Sequence, residues 1–289
     1  MGYTFNSLSK ILDQESFFRG KDILTLGTLY PYVDKHEAKV LARRGLHIDV
    51  PKERFSAHLF VEVLGAASCH SLDVSDYQQS EIICNLNHPL PDRHIGQYDV
   101  VFDGGTLEHL SNLPTALTNI FGLLRQGGIY YFGVPCNNWV NHGFFQFSPT
   151  FFSDLCIDNP DLKLLVLHVN TTKKDYDYAS QNPAFLRALF SARLRLNVGG
   201  IIQKTGGKIN LDLTQSKYRE QYAPPKQNAL ATASSPGFPS SRLTAALRRF
   251  ASAGIHWFSV SAWFPLSFKE LTLNRLYGLK HKPRFQNPG

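Results

Sequence analysis

The segment from Tyr98 to Leu110 constrains the fold of this chain more than any other. It begins with an apolar, β-branched run, YDVVF at 98–102, which is typical of a short buried strand. A polar turn, DGGT at 103–106, follows the strand, and LEHL comes next at 107–110. Polar side chains directly after a buried strand are typical of a pocket edge, so we expect functional residues here.

The sequence downstream continues this pattern. Apolar residues recur at helical spacing over 115–125, and Gly127-Gly128 is the expected helix stop. A second buried strand is predicted at 129–134. The order is thus strand, polar turn, helix, glycine pair and strand, which is typical of an α/β fold with a parallel sheet. Ligands of such folds bind beyond the carboxyl ends of the strands.

The other apolar runs predict the remaining elements. Strands are expected at 23–27, 68–74, 81–84, 162–169 and 194–204, the last one broken at Gly199-Gly200. Helices are expected at 8–18, 35–44, 55–64, 150–156 and 183–193. A hydrophobic content of 43% over 289 residues is enough for one sizeable core and an appendage.

Five pieces in this order resemble the Rossmann-like (class I) methyltransferases that use S-adenosylmethionine. They are YDVV at 98–101, LEH at 107–109, LLRQGG at 123–128, Val134-Pro135 and the loop NHGFFQFSP at 141–149. The resemblance is strongest over 82–155 and extends over about 22–204. It implies a three-layer α/β fold with a mostly parallel sheet of about seven strands and a C-terminal extension. It also implies S-adenosyl-L-methionine as the cofactor.

The resemblance implies a set of cofactor-binding positions. Gly27 and Thr28 stand in the turn that is glycine-rich in the family, Asp73 at the ribose hydroxyls, Asn85 and Leu86 at the adenine, and Asp103, Gly104 and Glu108 at the methionine end. Several of these residues have an alternative structural role. Asp73 or Asp76 would also cap a turn, Asn85 would also form one, and Asp103-Gly104-Gly105 would also serve as an ordinary tight turn.

The chain departs from the family in that first turn, where only Gly27 is kept. Two interpretations follow. Either the turn binds the cofactor by another path, with side-chain contacts from Thr25, Thr28 or Tyr30, or the chain is a non-catalytic methyltransferase-like module that binds or scaffolds a partner. A dinucleotide-dependent oxidoreductase fits less well, because the second and third fingerprint glycines are missing.

Methyl transfer to an alcohol requires removal of a proton, and imidazole is a suitable base near neutral pH. His142, in the loop after the fifth strand of the family pattern, and His109, beside the predicted pocket, are the candidate catalytic residues. Each would also serve a structural role, His109 by bonding to backbone and His142 by shaping a turn. The four cysteines show no metal-ligand spacing, and no metal is predicted. Relatives with the DGGTLEH variant resemble enzymes thought to modify sugars or other small metabolites, which implies a glycan or nucleotide-sugar hydroxyl as the acceptor.

The charge of the chain is unevenly placed. Residues 242–284 contain eight Lys or Arg residues and one Glu, and they thereby account for the whole formal charge of +7. The resemblance implies a methyltransferase-like domain at 1–222, and composition predicts a Pro/Ser-rich linker at 223–241 and a basic, aromatic-rich extension at 242–289.

The sequence does not decide between two arrangements of the basic extension. The extension would lie peripherally on an anionic membrane surface through residues 242–284, or pack over the core with its basic side chains solvated. Nucleic acid is not predicted as a partner, because the aromatic residues are not interleaved with the basic ones and the core carries no basic excess. The first 30 residues lack the apolar segment of a secretory signal, and unpaired cysteines are typical of a reducing compartment. We therefore expect a cytoplasmic protein, with the inner membrane surface as the site of any membrane contact.

Overall fold

A computed structural model describes residues 2–171, 174–178, 183–207 and 209–216 of the chain. The predicted linker at 223–241 and the basic extension at 242–289 lie outside the described residues. Residues 1–179 and 195–213 form one compact unit, which contains all the described strands. The described residues 183–194 and 214–216 belong to a second unit and include one helix.

The described residues form ten strands and six α-helices. The strands are β1 Gly2–Thr4, β2 Asp22–Leu26, β3 Tyr30–Tyr32, β4 Ser68–Asp73, β5 Ile82–Ile83, β6 Tyr98–Asp103, β7 Leu124–Asn137, β8 Leu162–Asn170, β9 Asp175–Asp177 and β10 Leu196–Lys204. The helices are α1 Phe5–Asp13, α2 Lys35–Ala42, α3 Phe55–Ala57, α4 Leu113–Leu123, α5 Pro149–Ile157 and α6 Pro183–Ser191. A π-helix, His58–Val63, continues α3. No described helix is long and apolar enough to cross a bilayer.

Eight strands form the main sheet, in the spatial order β5-β4-β2-β6-β7-β10-β8-β9. The first five of these are parallel to one another, whereas β10 runs antiparallel between β7 and β8. The predicted α/β fold with a mostly parallel sheet is confirmed. The eighth strand is β9, a three-residue edge strand that carries no clear apolar run in the sequence.

Helices cover both faces of this sheet, as the predicted three-layer fold requires. On one face, Phe102 and Tyr131 stack and belong to a buried cluster that also includes residues of α1, α2 and the π-helix. On the other face, the Phe132 ring stacks on Phe152 of α5, and Tyr130 packs edge-on against Phe121 of α4. Successive residues of β7 thus point to opposite layers, which is the period of a strand buried on both sides.

Capping side chains in the sequence determine where four helices begin. Thr4 and Asp34 each form a capping box with the residue three positions later, at the starts of α1 and α2. Asn112 accepts from the amide of Thr115 at the start of α4, and Ser148 caps α5. A proline at the first or second position of α4 and α5 fits the fixed φ of a helix N-terminus.

The helix α4 ends earlier than its sequence predicts. It stops at Leu123, and the predicted stop at Gly127 lies within β7 at a φ of +83°. The amides of Gly96 and Gln97 donate to the carbonyls of Gly122 and Leu123, so the end of the helix is satisfied by a distant loop and needs no glycine cap.

The strand β10 is continuous through Gly199-Gly200, so the predicted break there is wrong. A Cβ at Gly199 would lie 2.6 Å from His168 Nε2, and one at Gly200 would lie 2.4 Å from the carbonyl oxygen of Val166. Glycine is therefore required at these positions because β8 and its side chains approach closely.

We predict that Gly200→Ala destabilises the protein by about 1–3 kcal/mol, because the new methyl group overlaps backbone that cannot move freely. Gly133→Ala is the matched control in the adjacent strand β7, where a Cβ meets nothing within 4 Å. Urea unfolding measures both free energies. Equal losses for the two variants would contradict the close-approach explanation.

Candidate functional site

Two cavities open at the carboxyl edge of the sheet, next to the point where the strand order reverses between β2 and β6. The small cavity has a volume of about 230 Å³ and is lined by Gly27, residues 72–74, residues 84–87, Thr106, His109 and Leu110. The large cavity has a volume of about 340 Å³ and is lined by residues of β6 to β10, of the segment 2–10 and of the loop 138–147.

The small cavity brings together four of the predicted cofactor-binding residues: Gly27, Asp73, Asn85 and Leu86. The turn at Gly27, which has a φ of +79°, is held by its amide, which donates to the Leu72 carbonyl, and by its carbonyl, which accepts from Thr25. This ties the end of β2 to the end of β4, so that the turn and Asp73 line one space.

The same carboxylate and amide also shape their turns. Asp73 Oδ1 accepts from the amide of Val74 at 2.6 Å, and Asn85 Oδ1 accepts from the amide of Asn87 at 3.0 Å. The alternative structural roles expected for Asp73 and Asn85 are therefore present alongside their position in the cavity.

Thr28 lies outside both cavities, although the sequence predicts it as a cofactor contact. Its hydroxyl donates to the carbonyl of Gln78 and lies 3.4 Å from Ser80 Oγ. Tyr30 lines neither cavity, although Tyr32 of the same strand β3 lines the large one. The Tyr30 ring packs on Tyr32 and lies under the ammonium of Lys52. Neither tyrosine of the segment after Gly27, Tyr30 or Tyr32, lines the small cavity.

Asp103, Gly104 and Glu108 line the large cavity, as part of the loop after β6. Asp103 is fully buried, and its carboxylate accepts from the amides of Gly105 and Thr106 and from the Tyr130 hydroxyl, at 2.6–3.0 Å. Burial raises the pKa of Asp103, and these hydrogen bonds oppose the rise. The expected tight turn is formed, with the Asp103 side chain at its centre.

Glu108 is a buried carboxylate with an incomplete set of partners. It is 1% exposed, and Oε2 has no hydrogen-bond partner. Burial, and then the negative charge of Asp103, raise the pKa of Glu108 to about 8. Buried carboxylates with such pKa values are concentrated at functional sites.

His142 and His109 converge on this carboxylate. Their Nε2 atoms lie 3.4 Å and 3.8 Å from Glu108 Oε1, and the two ring centroids are 5.1 Å apart. His109 lines the small cavity, whereas Glu108 and His142 line the large one. Burial, and then His142, lower the pKa of His109. The Glu108–His109–His142 cluster therefore lies where the two cavities adjoin.

The cluster is held by hydrogen bonds between two loops. The carbonyl of Glu108 accepts from the amides of Phe144 at 2.7 Å and Phe145 at 3.3 Å. Asn138, Asn141 and Gly143 have positive φ angles, which give the loop 138–147 its tight path. These contacts bring His142 to His109, although the two residues lie far apart in the sequence.

The opposite wall of the large cavity was not predicted from the sequence. Lys10 Nζ lies 3.1 Å from Asp175 Oδ1, and His168 lies beside them with its imidazole buried. Burial and the charge of Lys10 lower the pKa of His168 well below its usual range. Trp139, whose indole donates to the Leu196 carbonyl, packs against His142. Trp139 stands three residues before His142, so its proximity to that histidine could have been predicted from the sequence. Lys10 and Asp175 lie far apart in the chain, and no local pattern predicts that they meet.

We predict that Gly143→Ala destabilises the protein more than Gly20→Ala does. Both glycines have φ near +70°, so both variants lose about 1 kcal/mol to backbone strain. A Cβ at Gly143 would also lie 2.8 Å from Glu108 Cγ, whereas one at Gly20 meets nothing within 4 Å. Urea unfolding should show a further loss of about 1–3 kcal/mol for Gly143→Ala. Equal losses would mean that the loop does not press on Glu108.

No family model and no curated protein sequence matches the chain. Among solved structures, it is similar to 1,6-didemethyltoxoflavin-N1-methyltransferase of Burkholderia thailandensis, with 16% identity, 70% of this chain and 78% of that one covered, and a TM-score of 0.41. It is also similar to coclaurine N-methyltransferase, with 11% identity, 69% of this chain and 71% of that one covered, and a TM-score of 0.42. A third similar structure is an S-adenosylmethionine-dependent methyltransferase of Aquifex aeolicus, with 11% identity, 67% of this chain and 88% of that one covered, and a TM-score of 0.39. Similarity at this level assigns no activity to the chain.

Proposed function

We propose that this chain is an S-adenosyl-L-methionine-dependent methyltransferase that acts on a small-molecule acceptor, with a glycan-type hydroxyl as the methylated group. One observation carries the proposal. Seven of the eight predicted cofactor residues, all except Thr28, and both predicted catalytic histidines line two cavities that adjoin at the Glu108–His109–His142 cluster. A methyl donor in one cavity and an acceptor in the other would face each other there.

The adenosyl part of the cofactor occupies the small cavity in this proposal. Asp73 accepts hydrogen bonds from the ribose hydroxyls, because a carboxylate has two oxygens that accept together. Asn85 and Leu86 contact the adenine, and Gly27 lets the backbone approach the cofactor closely. Thr28 supports this turn from behind through Gln78 and Ser80.

Asp103, Gly104 and Glu108, which line the large cavity, would hold the methionine end of the cofactor, whose sulfonium would supply the methyl group. The acceptor oxygen attacks the methyl carbon in line with the departing sulfur. A C–O bond forms, the electron pair of the C–S bond returns to sulfur, and neutral S-adenosylhomocysteine leaves. The hydroxyl must also lose its proton, and we assign the promotion of that loss to His142 and His109.

We predict that S-adenosylhomocysteine binds the wild-type chain saturably with a micromolar Kd, and that Asp73→Ala weakens binding about 10- to 100-fold. The physical reason is the loss of charge-assisted hydrogen bonds to the ribose, worth about 1.5–3 kcal/mol. Calorimetric titration measures both constants.

Asp76→Ala is the control, since Asp76 is exposed and lies outside the small cavity. It should retain the wild-type Kd within about twofold. An absence of heat and of any thermal shift with the wild-type chain would favour the non-catalytic binding module instead.

We predict that the chain transfers tritium from methyl-labelled S-adenosylmethionine to a hydroxyl among methyl glycosides and nucleotide sugars. His142→Gln should lower the rate by about 100-fold or more, because loss of the acceptor proton is no longer promoted. The Kd for S-adenosylhomocysteine should stay unchanged, since His142 lines the other cavity.

His47→Gln, at an exposed loop position, is the matched control and should keep full transfer. A panel of primary amines tests the acceptor atom. Labelling of amines alone would overturn the glycan-type hydroxyl, and equal rates for the two histidine variants would remove His142 from the reaction.

A further inference from the structure

We propose that the Glu108–His109–His142 cluster binds a divalent transition-metal ion. The sequence analysis predicts no metal, because the four cysteines show no metal-ligand spacing. Of the His, Cys, Asp and Glu residues that the structure describes, these three form the one group whose ligand atoms all lie within 4.8 Å of one another.

The distances in the cluster suit coordination better than hydrogen bonding. The two imidazoles lie 3.4 Å and 3.8 Å from the same carboxylate oxygen, which is too long or at the limit for a direct hydrogen bond. Ligands about 2.1 Å from a common ion lie roughly 3–3.5 Å apart. The two distances from the Glu108 oxygen, 3.4 Å and 3.8 Å, are therefore close to the spacing of ligands around one ion.

The Glu108 carboxylate is buried close to a second buried carboxylate, that of Asp103. Glu108 is almost fully buried and Oε2 has no partner, while Asp103 lines the same cavity. The recorded ion pairs of Glu108 are with the two histidines, which are charged only if protonated. Burying a carboxylate without a partner is costly, and a bound cation removes that cost.

The backbone around the cluster holds the three side chains in place. Glu108 and His109 lie on one 3₁₀ turn, 107–109, and the loop that carries His142 is bonded to the carbonyl of Glu108. Trp139 packs against the His142 ring at a centroid distance of 5.1 Å. Three ligands supplied by two mutually bonded loops are positioned before any ion arrives.

The donor set indicates the kind of metal. Two imidazoles and one carboxylate suit Mn²⁺, Fe²⁺, Co²⁺ or Zn²⁺, whereas Mg²⁺ and Ca²⁺ prefer oxygen ligands. Three protein ligands leave further coordination positions open, as in catalytic metal sites. Glu108 and His142 line the large cavity, so those positions would face an acceptor there.

The role of the ion in the reaction rests on the function proposed above. Its binding to the cluster does not depend on that function. A hydroxyl bound to the ion has a lowered pKa and releases its proton to water. The resulting oxygen then attacks the methyl carbon, and sulfur leaves with the C–S electron pair. In this account His142 and His109 promote proton loss by holding the ion.

The experiment is a Mn²⁺ titration of the full chain, monitored by electron paramagnetic resonance after treatment with a chelator. We expect one tightly bound Mn²⁺ per chain with a micromolar Kd. Glu108→Gln, His109→Gln and His142→Gln should each weaken binding by at least about tenfold, because each removes one ligand.

Controls address folding and specificity. His109 and His142 are each about 40% exposed, so their variants should fold even if Glu108→Gln does not. His47→Gln should bind Mn²⁺ like the wild type. If the wild type binds no Mn²⁺, or if the His142 and His47 variants bind it equally, the metal site is overturned.

Calorimetry with S-adenosylhomocysteine on the same preparations separates the two proposals. Mn²⁺ binding without S-adenosylhomocysteine binding would retain the metal site and remove the methyltransferase. The reverse result would retain the methyltransferase, with an imidazole acting directly as the base.

Discussion

The candidate site depends on two backbone hydrogen bonds to the carbonyl of Glu108. They join the loop after β6 to the loop after β7 and so place a histidine from each loop on one buried carboxylate. Parallel neighbouring strands end at the same edge of the sheet, which brings the two loops within reach. The bonds then fix which residues meet.

Burial raises the pKa of Glu108 and so changes what this cluster binds. A carboxylate in water would hold its charge at low cost, but Glu108 is enclosed by the loop 138–147 and lies close to the buried Asp103. Its free oxygen therefore favours a proton, a cation or a substrate group. Glu108 lines the large cavity and the adjacent His109 lines the small one, so the cluster contributes to both.

The departure from the family's glycine-rich turn has a structural explanation. Residues that follow Gly27 extend into β3 and pair with β1, and the tyrosines of β3 pack on each other and on Lys52. The segment 2–10 thereby becomes a wall of the large cavity. Gly27 keeps the positive φ that the turn after β2 needs.

The sequence by itself determined the layer order, most of the strands and the position of the polar turn after β6, because apolar period and turn residues are local signals. It also named Asp73, Asn85, Glu108, His109 and His142 as candidates, and these residues line the two cavities. It misplaced the end of α4 and the break in β10, where distant groups satisfy a helix end and crowd a strand. Only the tertiary structure decided that Thr28 bonds to Gln78, and that Lys10 faces Asp175. Contacts between residues far apart in the chain leave no periodic trace in the sequence, so they became visible only once the chain was folded.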